Sequence, residues 1–93
     1  MNKAILYKSF LLGSWYENKD YESISIWLFI NENEEVMLYQ IRKENHYISY
    51  SSAFKSLKEV EVVYNNCKNQ IKSKNINKLE EIEEINNNAL RYL

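Results

Sequence analysis

Apolar and polar residues alternate along residues 22–30, ESISIWLFI. One side of an extended chain would carry four aliphatic residues, namely Ile24, Ile26, Leu28 and Ile30. The other side would carry Trp27 and Phe29 among serines. A period of two residues is typical of a β-strand, whose successive side chains point to opposite faces of the sheet. The pattern therefore predicts a strand over about residues 21–31.

The same alternation continues in the residues that follow. A two-residue turn at Asn33-Glu34 would join the first strand to another over about residues 35–43. The apolar side chains then meet in the pairs Ile30 with Met37, Leu28 with Tyr39, and Ile26 with Ile41. A turn at Glu44-Asn45 adds a strand over about residues 46–50, with the pairs Ile41 with Ile48 and Tyr39 with Tyr50. Because a slip of one residue reverses every side chain, we expect all three strands to share one in/out phase.

Residues 4–16 leave two interpretations open. A strand is favoured because Ile5, Phe10 and Trp15 are good strand formers, and a turn at residues 17–20 would join it to the next strand. Gly13 would then mark a bulge. The rival is a helix that begins after Asn2 and ends at Gly13, since Asn suits an N-cap and Gly a C-cap.

The period changes to three and four residues after Tyr50. An apolar stripe follows this spacing through Ala53, Leu57, Val60, Tyr64, Cys67 and Ile71. It predicts a helix over about residues 52–72 that is capped near Ser51 or Ser52 and packs on the apolar sheet face. The alternation of Val60, Val62 and Tyr64 would also suit a strand, but the helical stripe runs for nearly twenty residues.

A shorter helix is predicted over about residues 77–92. Asn77 and Glu80 resemble a capping box, and the glutamates that follow suit the positive end of a helix dipole. Two roles for this helix stay open, packing on the domain or pairing in a short coiled coil. The coiled-coil seam would contain Leu79, Ile82, Asn86, Ala89 and Leu93.

These elements define an α+β fold. We predict one domain over residues 1–93, a three- or four-stranded antiparallel β-meander with one long helix on its apolar face and a shorter C-terminal helix. A chain of 93 residues has apolar area for one core only. One Gly and no Pro leave no segment with the composition of a flexible linker.

Composition narrows the environment and the class of partner. A net charge of -1 provides no general attraction to nucleic acid or to anionic lipid. The single Cys67 cannot form an intrachain disulfide or a zinc site, and we expect it to be a core residue in a reducing cytoplasm. No apolar run approaches the roughly 18 residues that span a bilayer, and Lys8 interrupts the apolar N-terminal stretch, so neither a membrane nor secretion is expected. Abundant Asn, Ile, Lys and Tyr fit AT-rich coding DNA of a low-GC bacterium or its phage.

Catalytic and ligand-binding motifs are not found in the sequence. His46 is the only histidine and lies beside a predicted turn, without a readable acid or nucleophile partner. The glutamates at residues 80–84 would splay around a helix rather than converge on a metal ion. A lysine run at Lys68, Lys72, Lys74 and Lys78 contains no aromatic residue for stacking on bases. We expect no cofactor, no metal and no enzymatic activity.

The sheet face away from the long helix is the candidate binding surface. The predicted register brings together Trp27, Phe29, Leu38, Gln40, Arg42 and Tyr47, with Phe10 across from Trp27. Aromatic residues with one Arg are typical of an interface core. Three interpretations stay open. The C-terminal helix or the N-terminal segment covers this face as a second core layer, the chain self-associates, or a partner protein binds here.

The sequence therefore predicts a small non-catalytic protein that binds and inhibits or regulates a macromolecular partner. An anti-CRISPR-like inhibitor of a nuclease or ribonucleoprotein complex, encoded by a phage or mobile element, fits its size and coding bias by analogy of class alone. One alternative is a nucleic-acid-binding module with aromatic stacking platforms, in which Lys8 and Arg42 lie near phosphates. Another is a homodimeric nucleotide-binding protein or small enzyme with its site between subunits.

Overall fold

The computed structural model describes residues 2–13, 21–45, 47–74 and 81–93. They form β1 (Lys3–Leu12), β2 (Glu22–Ile30), β3 (Val36–Asn45), β4 (Ser49–Phe54), α1 (Leu57–Lys74), β5 (Glu81–Ile85) and a C-terminal 3₁₀ helix (Asn87–Tyr92). The strands form one antiparallel sheet in the order β4-β3-β2-β1-β5. The predicted α+β class is confirmed, and the fifth strand is an addition to the predicted meander.

The hairpin of β2 and β3 has the predicted central register. Leu28 pairs with Tyr39 and Ile26 pairs with Ile41. A bulge near the turn makes Val36, and not Met37, the partner of Ile30. The turn is also longer than the two residues predicted, because the Asn31 Oδ1 atom accepts hydrogen bonds from the N–H groups of residues 33 and 35.

The register predicted between β3 and β4 is wrong. Ile41 pairs with Ser52 rather than Ile48, and Tyr39 pairs with Phe54 rather than Tyr50. The cause is Asn45, whose Oδ1 atom accepts from the N–H groups of residues 47 and 48 at 2.8 Å and widens the turn. Because the shift is an even number of residues, the in/out phase is retained, and β4 includes residues 51–54 that were predicted mainly as helix.

The N-terminal segment is a strand, so the helical alternative for residues 2–13 is wrong. Gly13 follows the end of β1 with φ 111, a conformation that Gly adopts readily, and it does not form the predicted bulge. The bulge lies between Leu6, which pairs with Trp27, and Lys8, which pairs with Ile26. Phe10 pairs with Ile24 in the core, so its predicted position across from Trp27 is wrong. The predicted turn at residues 17–20 lies outside the described residues.

Helix α1 packs across the aliphatic face of the sheet. It begins later than predicted, because Ser56 is its cap and accepts a hydrogen bond from the Glu59 N–H at 3.3 Å. Val60, Tyr64 and Ile71 are buried against the aliphatic side chains of β2, and Cys67 packs at the edge of this core. The strand alternative for residues 59–64 is wrong.

The predicted C-terminal helix is wrong over residues 81–85, which pair with β1 as β5. Asn86 does not belong to a coiled-coil seam. Its Nδ2 donates to the Leu6 carbonyl and its backbone N–H to the Tyr7 carbonyl, both at 2.8 Å, which fixes the chain to the β1 bulge. The 3₁₀ helix then buries Ala89 in the same core as α1. Among the described helical segments, none is long and apolar enough to cross a membrane.

Candidate functional site

The face of the sheet opposite α1 is called the outer face. Residues that are paired across strands point to the same side of a sheet, so Trp27 shares this face with Gln40, and Phe29 shares it with Leu38. The face also contains four serines, Ser9, Ser23, Ser25 and Ser51, and the apolar residues Leu6 and Ala53. The three central strands thus combine an apolar patch with short hydroxyl side chains.

Five of the six residues predicted for the site lie together on the outer face. They are Trp27, Phe29, Leu38, Gln40 and Arg42, and all are partly buried. Tyr47 does not join them, because it lies in the β3–β4 turn and is 88% exposed. The sequence signal for a turn at Tyr47 is Asn45. An Asn side chain can accept hydrogen bonds from backbone N–H groups further along the chain and so form a turn.

Arg42 and Trp27 form the centre of the outer face. The Arg42 guanidinium carbon lies 4.1 Å from the centroid of the Trp27 ring. The Arg42 Nε atom donates to the Gln40 Oε1 atom at 2.6 Å, and the Trp27 Nε1 atom donates to the Ser25 Oγ atom at 3.0 Å. A cation–π contact at such a site contributes about 0.5 to 1 kcal/mol. These contacts therefore favour one arrangement of the two large side chains before any partner binds.

The described C-terminal elements do not cover the outer face. Ala89 of the 3₁₀ helix is buried in the core that contains Val60 and Tyr64 of α1, so both helices lie on the opposite side of the sheet. The expectation that the C-terminal helix covers the outer face as a second core layer is therefore wrong for residues 87–92. The N-terminal strand is part of the sheet and not a layer above it.

Charged side chains of both signs lie together in the described part of the sheet. On the described part of the outer face, Arg42 is accompanied by Glu44 and Glu84. Lys8 lies on the other face, where its Nζ atom is 4.0 Å from the Glu61 Oε1 atom. Two lysines of the predicted basic run are also paired, Lys68 with Glu83 at 3.0 Å and Lys72 with Glu81 at 3.9 Å. Strand β5 thus places its acidic side chains beside the lysines of α1.

A network of hydrogen bonds joins α1 to β5. The Tyr64 hydroxyl donates to the Glu83 Oε2 atom at 2.7 Å, and Lys68 donates to both oxygens of the same carboxylate. Burial, followed by the hydrogen bond to Glu83, raises the pKa of Tyr64 far above its ordinary value. A phenol in this environment stays protonated and can donate its hydrogen bond to Glu83.

Residues that could bind a metal ion do not converge in the described ranges, where no group of three or more His, Cys, Asp and Glu side chains is found. The catalytic candidate His46 lies outside the residues that the structure describes. Sequence reasoning missed the network of Tyr64 and Glu83, because its members are far apart in the chain and meet only through the pairing of β5 with β1.

A groove beside β4 is a second candidate surface, here named the β4 groove. It has a volume of about 550 Å³ and lies between the inner side of β3 and β4 and the helix α1. Its apolar lining includes Ile41, Tyr50, Phe54, Val63, Cys67 and Ile71. Ile48 and Tyr50, at its rim, are 62% and 54% exposed. Exposed apolar side chains at the edge of a sheet are suited to contact with another chain.

Comparisons with known proteins give no match to this chain. No protein-family model, no curated protein and no solved structure matches it. The function is therefore inferred from the outer face.

Proposed function

We propose that this protein is a non-catalytic binding module that docks its outer face on a partner protein and inhibits or regulates that partner. The observation that supports the proposal is the Arg42 guanidinium stacked over Trp27 and fixed by Gln40. Trp and Arg are frequent hot spots at protein interfaces, and anchors that are already ordered lose less conformational entropy on binding.

A protein partner suits this face better than a nucleic acid. Stacking on bases needs an aromatic ring with an open face, and one side of the Trp27 ring is already covered by Arg42. The acidic residues Glu44 and Glu84 on the same face would repel phosphates, and Lys8 faces the other way.

The narrower proposal concerns the kind of partner. The small size of the chain and its AT-rich coding bias favour a phage or mobile-element origin. A protein of this kind that acts by docking would inhibit a host defence complex, in the manner of an anti-CRISPR inhibitor of a nuclease or ribonucleoprotein complex. The absence of a recognised catalytic constellation in the sequence favours stoichiometric inhibition over turnover.

The test compares two double variants that each remove an Arg-on-aromatic pair. Trp27→Ala with Arg42→Ala alters the outer face, and Arg91→Ala with Tyr92→Ala removes a similar pair, 4.7 Å apart, from the 3₁₀ helix. Tagged wild type and both variants are used to capture partners from the lysate of a low-GC host, with mass spectrometry as the readout. We expect the outer-face variant alone to lose a specific protein by tenfold or more.

Two further results decide between the proposal and its alternatives. Equal recovery of the same protein by wild type and the outer-face variant would show that this face is not used. A salt-sensitive shift of a labelled oligonucleotide that the outer-face variant abolishes would favour the nucleic-acid-binding alternative. Circular dichroism of both variants shows whether the fold is retained in each comparison.

A further inference from the structure

The two edges of the sheet differ in how they are protected. Strand β5 forms one edge and contains Glu81, Glu83 and Glu84, which oppose association with another strand edge. Strand β4 forms the other edge, and its sequence SYSSAF contains no charged residue and no Pro. Natural proteins usually block an open edge with such residues. An unblocked edge is therefore a feature that needs a structural reason.

The backbone of β4 presents hydrogen-bonding groups at this open edge. The Asn45 N–H donates to the Ile48 carbonyl at 2.9 Å, so residues 45 and 48 form a hydrogen-bonded pair. In an antiparallel ladder such pairs alternate with pairs that are not hydrogen-bonded. Following this alternation along the register of β3 and β4, Ser49, Ser51 and Ala53 direct their N–H and C=O groups away from β3. These three residues are exposed.

We propose that β4 pairs antiparallel with β4 of a second copy of this chain, which joins two five-stranded sheets into one. With a two-fold axis at Ser52, Ser51 lies opposite Ala53 of the second copy as a hydrogen-bonded pair. Tyr50 then lies opposite Phe54 of the second copy in the closer, non-hydrogen-bonded position. An aromatic cross-strand pair of this kind is stabilising and occurs twice in the dimer.

Charge favours a second copy over an unrelated strand. Because β4 is uncharged, antiparallel self-pairing places no like charges opposite each other. Pairing β4 with β4 also ends the assembly at two chains, since the outer edges of the joined sheet are the acidic β5 strands. β4 has no charged residue that could select the strand of an unrelated protein by charge complementarity.

The side chains of β4 and its neighbour Ile48 supply exposed apolar area for this contact. Ile48 and Tyr50 are 62% and 54% exposed, and with about 200 Å² for a whole aromatic side chain Tyr50 alone offers roughly 100 Å² in each copy. With the two six-residue strand edges, this suits an interface at the small end of the range, near or below the roughly 1,200 Å² of a standard interface. The dimer is therefore expected to depend on protein concentration.

Pairing has a geometric consequence for both candidate surfaces. A two-fold axis perpendicular to the sheet keeps the inner sides of both copies on the same side. The two β4 grooves then lie next to each other between the two α1 helices, and the two outer faces form one continuous surface on the opposite side. The dimer therefore leaves Trp27 and Arg42 accessible and does not depend on the partner-binding proposal.

The first test is the mass in solution of the wild type and two variants at Ser51. Ser51→Pro removes the N–H that faces the open edge, and Ser51→Val keeps it and is a good strand former. Sedimentation velocity at increasing concentration should give a two-chain mass for the wild type and for Ser51→Val. We expect Ser51→Pro to weaken dimerisation at least tenfold. Circular dichroism reports whether each variant is folded.

A second variant keeps the test decisive if Ser51→Pro does not fold. Ser52→Lys places two lysines at the proposed two-fold axis, and it should give a one-chain mass at low salt. Amide hydrogen exchange adds a residue-level readout, since the amides of Ser51 and Ala53 should become more protected as the protein concentration rises. The Trp27→Ala with Arg42→Ala variant should keep the two-chain mass.

Three outcomes would overturn the pairing of β4 with β4 of a second copy. They are a one-chain mass for the wild type at millimolar concentration, a two-chain mass for folded Ser51→Pro and Ser52→Lys, and exchange at Ser51 and Ala53 that does not depend on concentration. A dimer that only the outer-face variant dissociates would place the contact on the other surface. Failure to capture a partner protein, with the concentration-dependent protection intact, would count against the proposed function alone.

Discussion

Tyr64 illustrates how one residue joins distant parts of the chain. Its side chain is fully buried, and its hydroxyl donates to Glu83 on β5. A buried hydroxyl without a hydrogen-bond partner destabilises the fold, and Glu83 supplies the acceptor that the Tyr64 hydroxyl needs. Lys68 neutralises the same carboxylate from one turn further along the helix. The three residues therefore fix β5 against α1, in addition to the backbone pairing of β5 with β1.

The substitution Tyr64→Phe removes this hydrogen bond and little volume. We expect it to lower the free energy of unfolding by about 1.5 to 3 kcal/mol, because a hydrogen bond to a charged group is lost. Urea denaturation measured by circular dichroism provides the value. Combining Tyr64→Phe with Glu83→Gln should cost less than the sum of the two single changes, since both affect one interaction. Strictly additive costs would show that the two residues are not coupled.

At the scale of elements, the sequence predicted strands better than turns. The sequence predicts strand β2 because aliphatic side chains on one face alternate with serines and aromatic side chains on the other. The same in/out alternation holds through β3. The turns were misjudged because the Asn31 and Asn45 side chains accept backbone N–H groups and lengthen both of them. An Asn side chain adds residues to a turn without altering the alternation in the flanking strands.

Strand β5 was missed for a different reason. The sequence EIEEI suits the first turns of a helix, where negative charge is favoured, as well as it suits a short strand. The choice between them is made by tertiary contacts, since β1 offers a free edge and α1 offers Tyr64 and Lys68 to Glu83. Such contacts are invisible in a local pattern, which explains why a five-residue element was assigned to the wrong class.

The start of α1 provides a test at this scale. Ser56 caps the helix, and Glu59 three residues later completes the sequence pattern of a capping box. Ser56→Ala should lower the free energy of unfolding by about 0.5 to 2 kcal/mol, because the helix loses its cap. Ser56→Asp retains an acceptor oxygen at the same place and should cost much less. Equal losses for Ala and Asp in thermal unfolding would contradict the capping role.

For the whole molecule, the sequence predicts those residues of the candidate site whose position depends only on the in/out alternation along the strands. Trp27, Phe29 and Leu38 were placed correctly because in/out alternation survives errors in turn length. Tyr47 was misplaced because it depends on where the turn begins. The open edge at β4 was not predictable, since it requires the complete strand order.

The network of Tyr64 and Glu83 also predicts how the whole molecule responds to pH. Burial by itself would raise the pKa of Glu83. The hydrogen bonds from Tyr64 and Lys68 lower it by more, so the pKa lies below the ordinary value of 4.5. A lowered pKa contributes stability above about pH 4.5, which is lost as the pH falls through the folded-state pKa. Burial, followed by hydrogen bonds to Glu61 and Glu83, raises the pKa of Tyr7 and Tyr64 above 10.0. Their contribution is present below about pH 10 and decreases above it.

The expected result is a melting temperature that is highest between about pH 5 and pH 10 and falls on both sides. Calorimetry across this pH range measures the melting temperature. Two variants separate its fall on the acid side, the acid limb, from its fall on the alkaline side, the alkaline limb. Glu83→Gln should make the fall on the acid side less steep because it removes a carboxyl whose pKa is lowered, and Glu34, whose pKa is also lowered, contributes to the fall that remains. Tyr64→Phe should make the fall on the alkaline side less steep, and Tyr7 and Lys3, whose pKa values are also raised, contribute to the fall that remains. An alkaline limb that is unchanged in Tyr64→Phe would mean that the buried phenol is not the group whose ionisation opposes the fold.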